Sequence, residues 1–233
     1  MANYEIDPED VLTDFLRVHL TDPKARAEAS TSQAVTATAG QTSITLSPPS
    51  GTASCITALT INGTSKNKWR DYYWDYQTQK VTFFTALTLS DAVVITFKYG
   101  TSNWIYSDRP DSNLSAASFP RISLFTVSSP GKRLGQYTAP VESSHMFQID
   151  LWAKIDYTAT ISGRTYSNEY LVRYYGNQIL RALEEHESDM FNLLYNYTLI
   201  SGPKDAPYSD RNQAFHGIVE INMKGLKSGR IEI

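Results

Sequence analysis

The chain has 233 residues, of which 41% are hydrophobic and 19% charged, so it can bury a core and wholesale disorder is excluded. Its formal net charge of −3, from 21 Lys and Arg against 24 Asp and Glu, argues against a globally basic nucleic-acid-binding protein. The single cysteine excludes an internal disulfide, and the absence of an apolar run of ~18 residues predicts that the chain has no membrane partner.

The chain is predicted to begin with a helix. Asp7 can cap this helix, Pro8 suits its first position, and apolar residues recur at helical spacing as far as Leu20. The pair Asp22-Pro23 then ends the helix. Residues 24–41 are small and polar without a clear period, which is typical of a linker or an extended lead-in.

A compact all-β stretch is predicted from about residue 42 to 106. Turn signals separate its short segments, and Asn62-Gly63 is the sharpest, because a type I′ hairpin turn needs a positive φ at both central residues. Short strands at this spacing favour a small sandwich or barrel. The predicted strands are Ser43–Leu46, Cys55–Ile61, Trp69–Trp74, Lys80–Phe84 and Val93–Tyr99.

After a linker over residues 107–120, the pattern becomes α+β. The segment His145–Ile155 alternates, and it predicts that Phe147, Ile149 and Leu151 face inward. The period then changes to 3.6 over residues 167–187, where an apolar stripe predicts a second helix. The other predicted strands are Ile122–Val127, Tyr157–Ile161, Met190–Ile200 and Phe215–Met223, with loops at Ser128–Pro140 and Ser201–Gln213.

These patterns predict an α+β domain interrupted by a small all-β sandwich or barrel domain. The α+β domain comprises residues 1–32 and 108–233, with a mixed or antiparallel sheet flanked by helices. Residues 33–107 form the inserted β domain, because a structureless connection of that length is uncommon in a compact domain.

The sequence contains no assembled catalytic motif that we recognise. A nucleophile elbow, a P-loop and a dinucleotide fingerprint are all missing, and Cys55 lies in an apolar strand context. No two histidines stand at a metal-ligand spacing, so structural roles are favoured for His19, His145, His186 and His216. An acidic cluster at the end of the second helix suggests either carboxylate catalysis or a solvated surface, and we favour the surface for Glu184, Glu185, Glu187 and Asp189. We therefore predict a protein that is not an enzyme and has no cofactor and no metal site.

Five aromatic residues fall within residues 69–76 of the inserted β domain. Two interpretations remain for them: a surface that stacks on sugars or docks a protein, or a hydrophobic core. The candidates for such a surface are Trp69, Tyr72, Trp74 and Tyr76.

The second half resembles the tail terminator (tail completion) proteins of tailed bacteriophages and related archaeal viruses, over roughly residues 110–224. The resemblance lies in the order of several short segments. These are Phe119-Pro120-Arg121-Ile122, the loop Gly131–Gly135, the strand Phe147–Lys154, Gly163-Arg164-Thr165-Tyr166, the helix with Leu171 and Ile179, and His216-Gly217-Ile218-Val219.

The resemblance implies a helix-flanked β-sheet protomer that assembles as a ring, which is hexameric in this family. Such a ring caps the tail tube protein and joins it to the head-side connector or stopper protein. It is made in the host cytoplasm and is located in the tail or neck of the virion, with non-specific contact to genomic DNA in the lumen. The segment 33–107 departs from the usual short family member and looks like a β module that decorates virion proteins.

Loops that project from the ends of the sheet are the expected sites of contact with the neighbouring rings. The candidates in the loop Ser128–Pro140 are Lys132, Arg133 and Leu134, of which the two basic residues are also candidates for DNA contact. The candidates in the loop Ser201–Gln213 are Lys204, Asp205, Tyr208 and Arg211.

Two other functions compete with the ring. One is a virion decoration protein, or a receptor- or carbohydrate-binding protein, that acts through the β module. The other is a hydrolase with an unrecognised carboxylate site. Binding of glycans by the isolated module would favour the first of these competitors.

Overall fold

The computed structural model describes residues 7–107, 119–129, 131–133, 141–190, 193–209 and 214–227, of which residues 131–133, 141–142, 205–209 and 226–227 are described by their backbone alone. The fold is a mixed α+β arrangement dominated by antiparallel sheets, with 51% of residues in strands. Two compact units divide the chain. Ala25–Asn103 belongs to the first, here called the β unit, and residues 7–24 with 104–227 belong to the second, the α+β unit.

The β unit consists of two antiparallel sheets. One has the strand order β1-β7-β3-β4 and the other β2-β6-β5. Side chains from both sheets enter one apolar core, including Ile44, Trp74, Val81, Ile95 and Phe97, so this part of the described chain is a sandwich and not a closed barrel. The strands are β1 (Ala29–Thr36), β2 (Ser43–Thr45), β3 (Thr52–Ile61), β4 (Thr64–Ser65), β5 (Tyr72–Asp75), β6 (Lys80–Phe83) and β7 (Ala92–Gly100).

The turn predicted at Asn62-Gly63 is confirmed. Asn62 has φ of 51° and Gly63 has φ of 76°, and the two residues connect β3 to β4. Both positive angles are what a type I′ turn requires, which explains why asparagine and glycine stand here.

Residues 24–41 were predicted to be a linker or an extended lead-in. The linker is wrong for the centre of this segment, because Ala29–Thr36 forms the extended strand β1, which pairs with β7 along its whole length. β1 is an edge strand, and none of its residues is fully buried. Its sequence therefore shows no alternation of apolar and polar residues that would predict a strand. The sequence placed the first domain junction after residue 32, within this strand. The β unit instead begins at Ala25 and includes the whole of β1.

The α+β unit contains the main sheet, with the strand order β14-β15-β11-β9-β8 and β10 paired to β11. All of these pairs are antiparallel except β8 with β9. The elements are α1 (Pro8–His19), β8 (Ile105–Tyr106), β9 (Arg121–Ser128), β10 (Gly131–Arg133), β11 (Val141–Lys154), the hairpin β12 (Thr158–Ile161) and β13 (Arg164–Ser167), α2 (Asn168–His186), a 3₁₀ helix (Glu187–Met190), β14 (Leu194–Ser209) and β15 (Ala214–Lys227).

The first helix forms as predicted. The Asp7 carboxylate accepts a hydrogen bond of 2.9 Å from the Glu9 backbone N–H, and Pro8 occupies the first turn. The backbone of Leu20 is extended and closes the helix. Its apolar side buries Val11 and Phe15 among others, which packs α1 onto the unit.

One face of the main sheet supports the hydrophobic core, and α2 packs on that face. Phe147, Ile149 and Leu151 of β11 are buried, as their alternation predicts. The apolar stripe predicted for the second helix is also confirmed, because its members lie in the core: Leu171, Tyr175, Ile179 and Leu183.

Two predicted loops contain strand. Gly131–Arg133 forms β10, in which Lys132 lies opposite Glu142 of β11. The strand predicted over Met190–Ile200 was expected to end at Ile200. The corresponding strand β14 continues through the polar residues to Ser209. β14 stays paired with β15 beyond Pro203. Register shifts accommodate the residues that do not fit the regular pairing. The predicted linker after Tyr106 lies mainly outside the described residues.

Candidate functional site

The two edges of the main sheet differ. At the β9 edge, β8 pairs with the first residues of β9, and the Ile122 N–H donates to the Trp104 carbonyl at 2.8 Å. Further along, the Thr126 N–H donates to the Glu9 carboxylate of α1 at 2.6 Å. Backbone donors at this edge are therefore satisfied by other parts of the unit.

The opposite edge is formed by β14. Among the described residues, β14 pairs on one side with β15 and borders no strand on its other side. An unpaired strand can pair with another chain through its backbone N–H and C=O groups, although the Tyr197 N–H of β14 is already bonded to Glu187. Pro203 fits this position, because proline within a strand is confined to edges and bulges.

Apolar side chains are exposed on this edge strand. Leu199 is 43% exposed and Ile200 is 49% exposed, and a register shift lies between Leu199 and Ser201. Both aliphatic side chains are therefore accessible for contact with a second protein surface. We call residues 198–204 of β14 the edge surface.

A polar contact fixes the edge surface to the rest of the sheet. Lys204 Nζ lies 2.9 Å from Glu220 Oε2, and the Ser201 hydroxyl donates to the same oxygen. These two hydrogen bonds, with that from Ser201 the stronger cause, lower the pKa of Glu220 below its ordinary value. The Lys204 side chain remains half exposed, so it is accessible from solvent while bound to β15.

The predicted contact loops are corrected by these observations. Lys204 lies in a strand, and so do the backbones of Asp205, Tyr208, Lys132 and Arg133. The remaining two candidates, Leu134 and Arg211, lie outside the described residues. Whether these residues meet partners stays a prediction, but a loop is the wrong description for the five in strands. Sequence reasoning missed the edge surface, although Pro203 within a strand-forming segment was a signal for an edge.

The aromatic surface predicted for the β unit is also corrected. Trp69, Tyr72 and Trp74 are only 3–4% exposed, and Tyr76 packs partly buried against the same core. Trp69 has φ of 68° and precedes β5, so it is not part of a strand. A platform for stacking sugars needs an exposed ring face, and burial removes that face. The core interpretation of these rings is the correct one.

The face of the main sheet that points away from α2 carries a polar group of side chains. The rings of Trp152 and His216, on neighbouring strands, stack at 3.8 Å between centroids with 4° between their planes. His216 Nε2 lies 3.2 Å from Asp150 Oδ1, which also accepts a 2.8 Å hydrogen bond from Gln148. These contacts hold β11 and β15 together on their second face and give His216 the structural role that the sequence favoured.

The acidic residues at the end of α2 and in the 3₁₀ helix form contacts with neighbouring residues. Glu185 bonds Arg181 at 2.7 Å one turn earlier, and this bond lowers the pKa of Glu185. Glu187 accepts a 2.7 Å hydrogen bond from the Tyr197 N–H. The carboxylates lie at the surface and are engaged in helix and strand contacts, which agrees with a solvated surface.

In the described part of the chain, no helix combines the length and apolarity needed to cross a bilayer. In comparisons with known proteins, no protein-family model and no curated protein matches this chain.

Proposed function

We propose that this protein is a structural protein of a tailed virus. In this proposal it assembles as a ring, hexameric by resemblance, that terminates the tail tube and joins the tail to the head-side connector or stopper. Its place is the tail or neck of the virion, and it acts without catalysis. The sequence resemblance over residues 110–224 supports the proposal, since those residues supply most of the main sheet and the helix α2 that packs on it.

The observation that carries the proposal is the difference between the two edges of that sheet. A ring is built from heterologous contacts, in which one surface of a subunit meets a different surface of the next. A sheet whose two edges differ, one covered by other elements and one bordered by no further strand, offers two different surfaces for such contacts. The edge surface, with Leu199 and Ile200 exposed, is the surface that we assign to the contact between subunits.

In this proposal the two ends of the main sheet face different neighbours. At one end Arg133 of β10 pairs with Val141 of β11. At the other end Ser209 of β14 pairs with Ala214 of β15. Two such ends suit a ring placed between the tail tube on one side and the connector on the other.

The mildly acidic chain suits a lumen through which DNA passes without being held strongly, because phosphate binding requires clustered positive charge. Lys132 and Arg133, at the end of the sheet near Val141, are the candidates for weak contact with DNA. The four aromatic candidates of the β unit do not favour the competing glycan-binding function, since Trp69, Tyr72 and Trp74 are buried and Tyr76 is partly buried.

Native mass spectrometry and negative-stain electron microscopy of the untagged chain test the ring. We expect a closed ring of one defined copy number. Changing both Leu199 and Ile200 to glutamate should release monomers, because two charges would be buried at the contact. The matched control is Leu89→Glu in the β unit, where the side chain is 71% exposed, and this variant should still form rings.

A dimer formed by like edges would contradict a ring, as would assembly that the double variant leaves intact. In the virus that encodes the chain, the ring-breaking variant should accumulate heads and tails that do not join. Normal yields of complete particles with that variant would overturn the proposed place at the junction.

A further inference from the structure

His19 lies far in sequence from His186 and Asp189, but the three side chains meet in the α+β unit. His19 is the last residue of α1, His186 is the last residue of α2, and Asp189 lies in the 3₁₀ helix that follows. His19 Nε2 is 3.1 Å from Asp189 Oδ2, and the two imidazole rings stack at 4.3 Å between centroids. One ligand atom from each residue falls within 4.8 Å of the others.

The surroundings of these three side chains favour a cation. Both histidines end a helix, and a helix C-terminus carries partial negative charge on its free carbonyl groups. Glu184, Glu185 and Glu187 flank His186 and add negative charge. The spacing of residues along the sequence did not predict this group. His19 reaches it only because α1 contacts the end of α2 and the 3₁₀ helix.

The exposure of the three side chains also suits a site that an ion can enter. The His19 side chain is 14% exposed and packs against the Phe15 ring, with 4.6 Å between centroids, so it is held in place. His186 is 45% exposed and Asp189 is 55% exposed, so these two can adjust. Water can reach the open side of the group and complete a coordination shell.

We propose that His19, His186 and Asp189 form a binding site for a divalent transition metal, with Zn²⁺ as the best-suited ion. Imidazole nitrogen with one carboxylate oxygen is a donor set typical of Zn²⁺ and its transition-metal neighbours, whereas Mg²⁺ and Ca²⁺ prefer oxygen ligands alone. His19 would bind through Nε2, which now faces Asp189, with its ring proton on Nδ1. The bound ion would connect α1 to the end of α2.

Binding requires one adjustment. The imidazole planes of His19 and His186 are only 12° from parallel, and a metal ion lies in the plane of each ring that ligates it. The two stacked rings cannot share one ion until a ring turns. His186 is the one that turns, because it is half exposed at the end of its helix.

The test uses the untagged full chain after treatment with EDTA and dialysis. Titration with Co²⁺ should give visible d–d absorption with one-site saturation, and calorimetry should show Zn²⁺ binding that Mg²⁺ does not displace. Zn²⁺ should raise the unfolding temperature, because it binds the folded state. His186→Ala and Asp189→Asn should each weaken Zn²⁺ binding by at least about tenfold, a loss that even outer-shell changes cause.

Two controls should keep the affinity of the unchanged chain. Glu169→Gln removes a carboxylate at the opposite end of α2, and His216→Asn removes a histidine that belongs to a different contact. Unfolding curves in EDTA establish that each variant is folded before binding is compared. The proposal is overturned if Co²⁺ gives no such absorption, or if the double variant His186→Ala with Asp189→Asn binds Zn²⁺ as the unchanged chain does.

Discussion

Gly176 of α2 lies so close to Pro203 of β14 that a methyl group on Gly176 would come within 2.5 Å of the Pro203 Cβ. The same methyl group would lie 3.4 Å from the Leu151 side chain of β11. The missing side chain of Gly176 therefore sets how closely α2 approaches the sheet beside the edge surface. Any larger residue must move the helix or the strand.

Gly176→Ala is expected to destabilise the protein. Alanine is the better helix former by about 1 kcal/mol, but overpacking against a rigid proline ring costs about 1–3 kcal/mol, and the clash should dominate. The free energy of unfolding, measured by urea denaturation, should fall. The control is Asn177→Ala on the exposed side of the same helix, which should leave stability unchanged or slightly raised. A gain in stability for Gly176→Ala would show that α2 is not held at this distance.

Leu151→Ala should cost about 2–5 kcal/mol, because it opens a cavity beneath α2 where the leucine side chain is buried. Gln148→Ala, on the other face of β11, should cost about 1 kcal/mol, through loss of its hydrogen bond to Asp150. Denaturant midpoints of the two variants compare these costs. Equal losses would contradict the assignment of the two faces.

Glu220→Gln should change how stability depends on pH. The pKa of Glu220 in the folded chain lies below its ordinary value of 4.5, so the carboxylate contributes stability that is present above pH 4.5 and is lost as the pH falls through the folded pKa. The variant should be less stable than the unchanged chain by up to about 1 kcal/mol at neutral pH, since Lys204 is half exposed. The difference should shrink below pH 4.5.

Thermal unfolding measured from pH 3 to pH 7 checks this expectation. Ser201→Ala removes one of the two donors to Glu220 and should give an intermediate effect. A difference between Glu220→Gln and the unchanged chain that stays constant across the whole range would argue against the contact.

Removal of the β unit should leave a folded α+β unit only when the junctions follow the compact units. Replacing residues 25–103 with a short Gly/Ser linker keeps Trp104, whose ring meets that of Tyr175 at 4.9 Å, and keeps β8. Replacing residues 33–107 removes both of these and leaves the first half of β1 without β7. We expect cooperative unfolding of the first variant and weaker or absent cooperativity in the second, followed by circular dichroism. Loss of cooperativity in both would mean that the α+β unit depends on the β unit.

Elements whose signals are local could be predicted from the sequence. The capping of α1 by Asp7, the turn at Asn62-Gly63 and the apolar stripe of α2 all depend on residues within a few positions of one another. The alternation that buries Phe147, Ile149 and Leu151 is local as well, because side chains of a strand point to its two faces in turn.

Features that depend on pairing between distant segments could not be predicted in this way, because they arise from contacts across the fold. β1 and the second half of β14 are polar segments whose strand conformation is supported by β7 and β15, so no apolar period marks them. The burial of Tyr72 and Trp74 depends on a second sheet that packs over them. His19 meets His186 and Asp189 because α1 packs at the end of α2, and this proximity comes from packing across the chain and not from spacing along it.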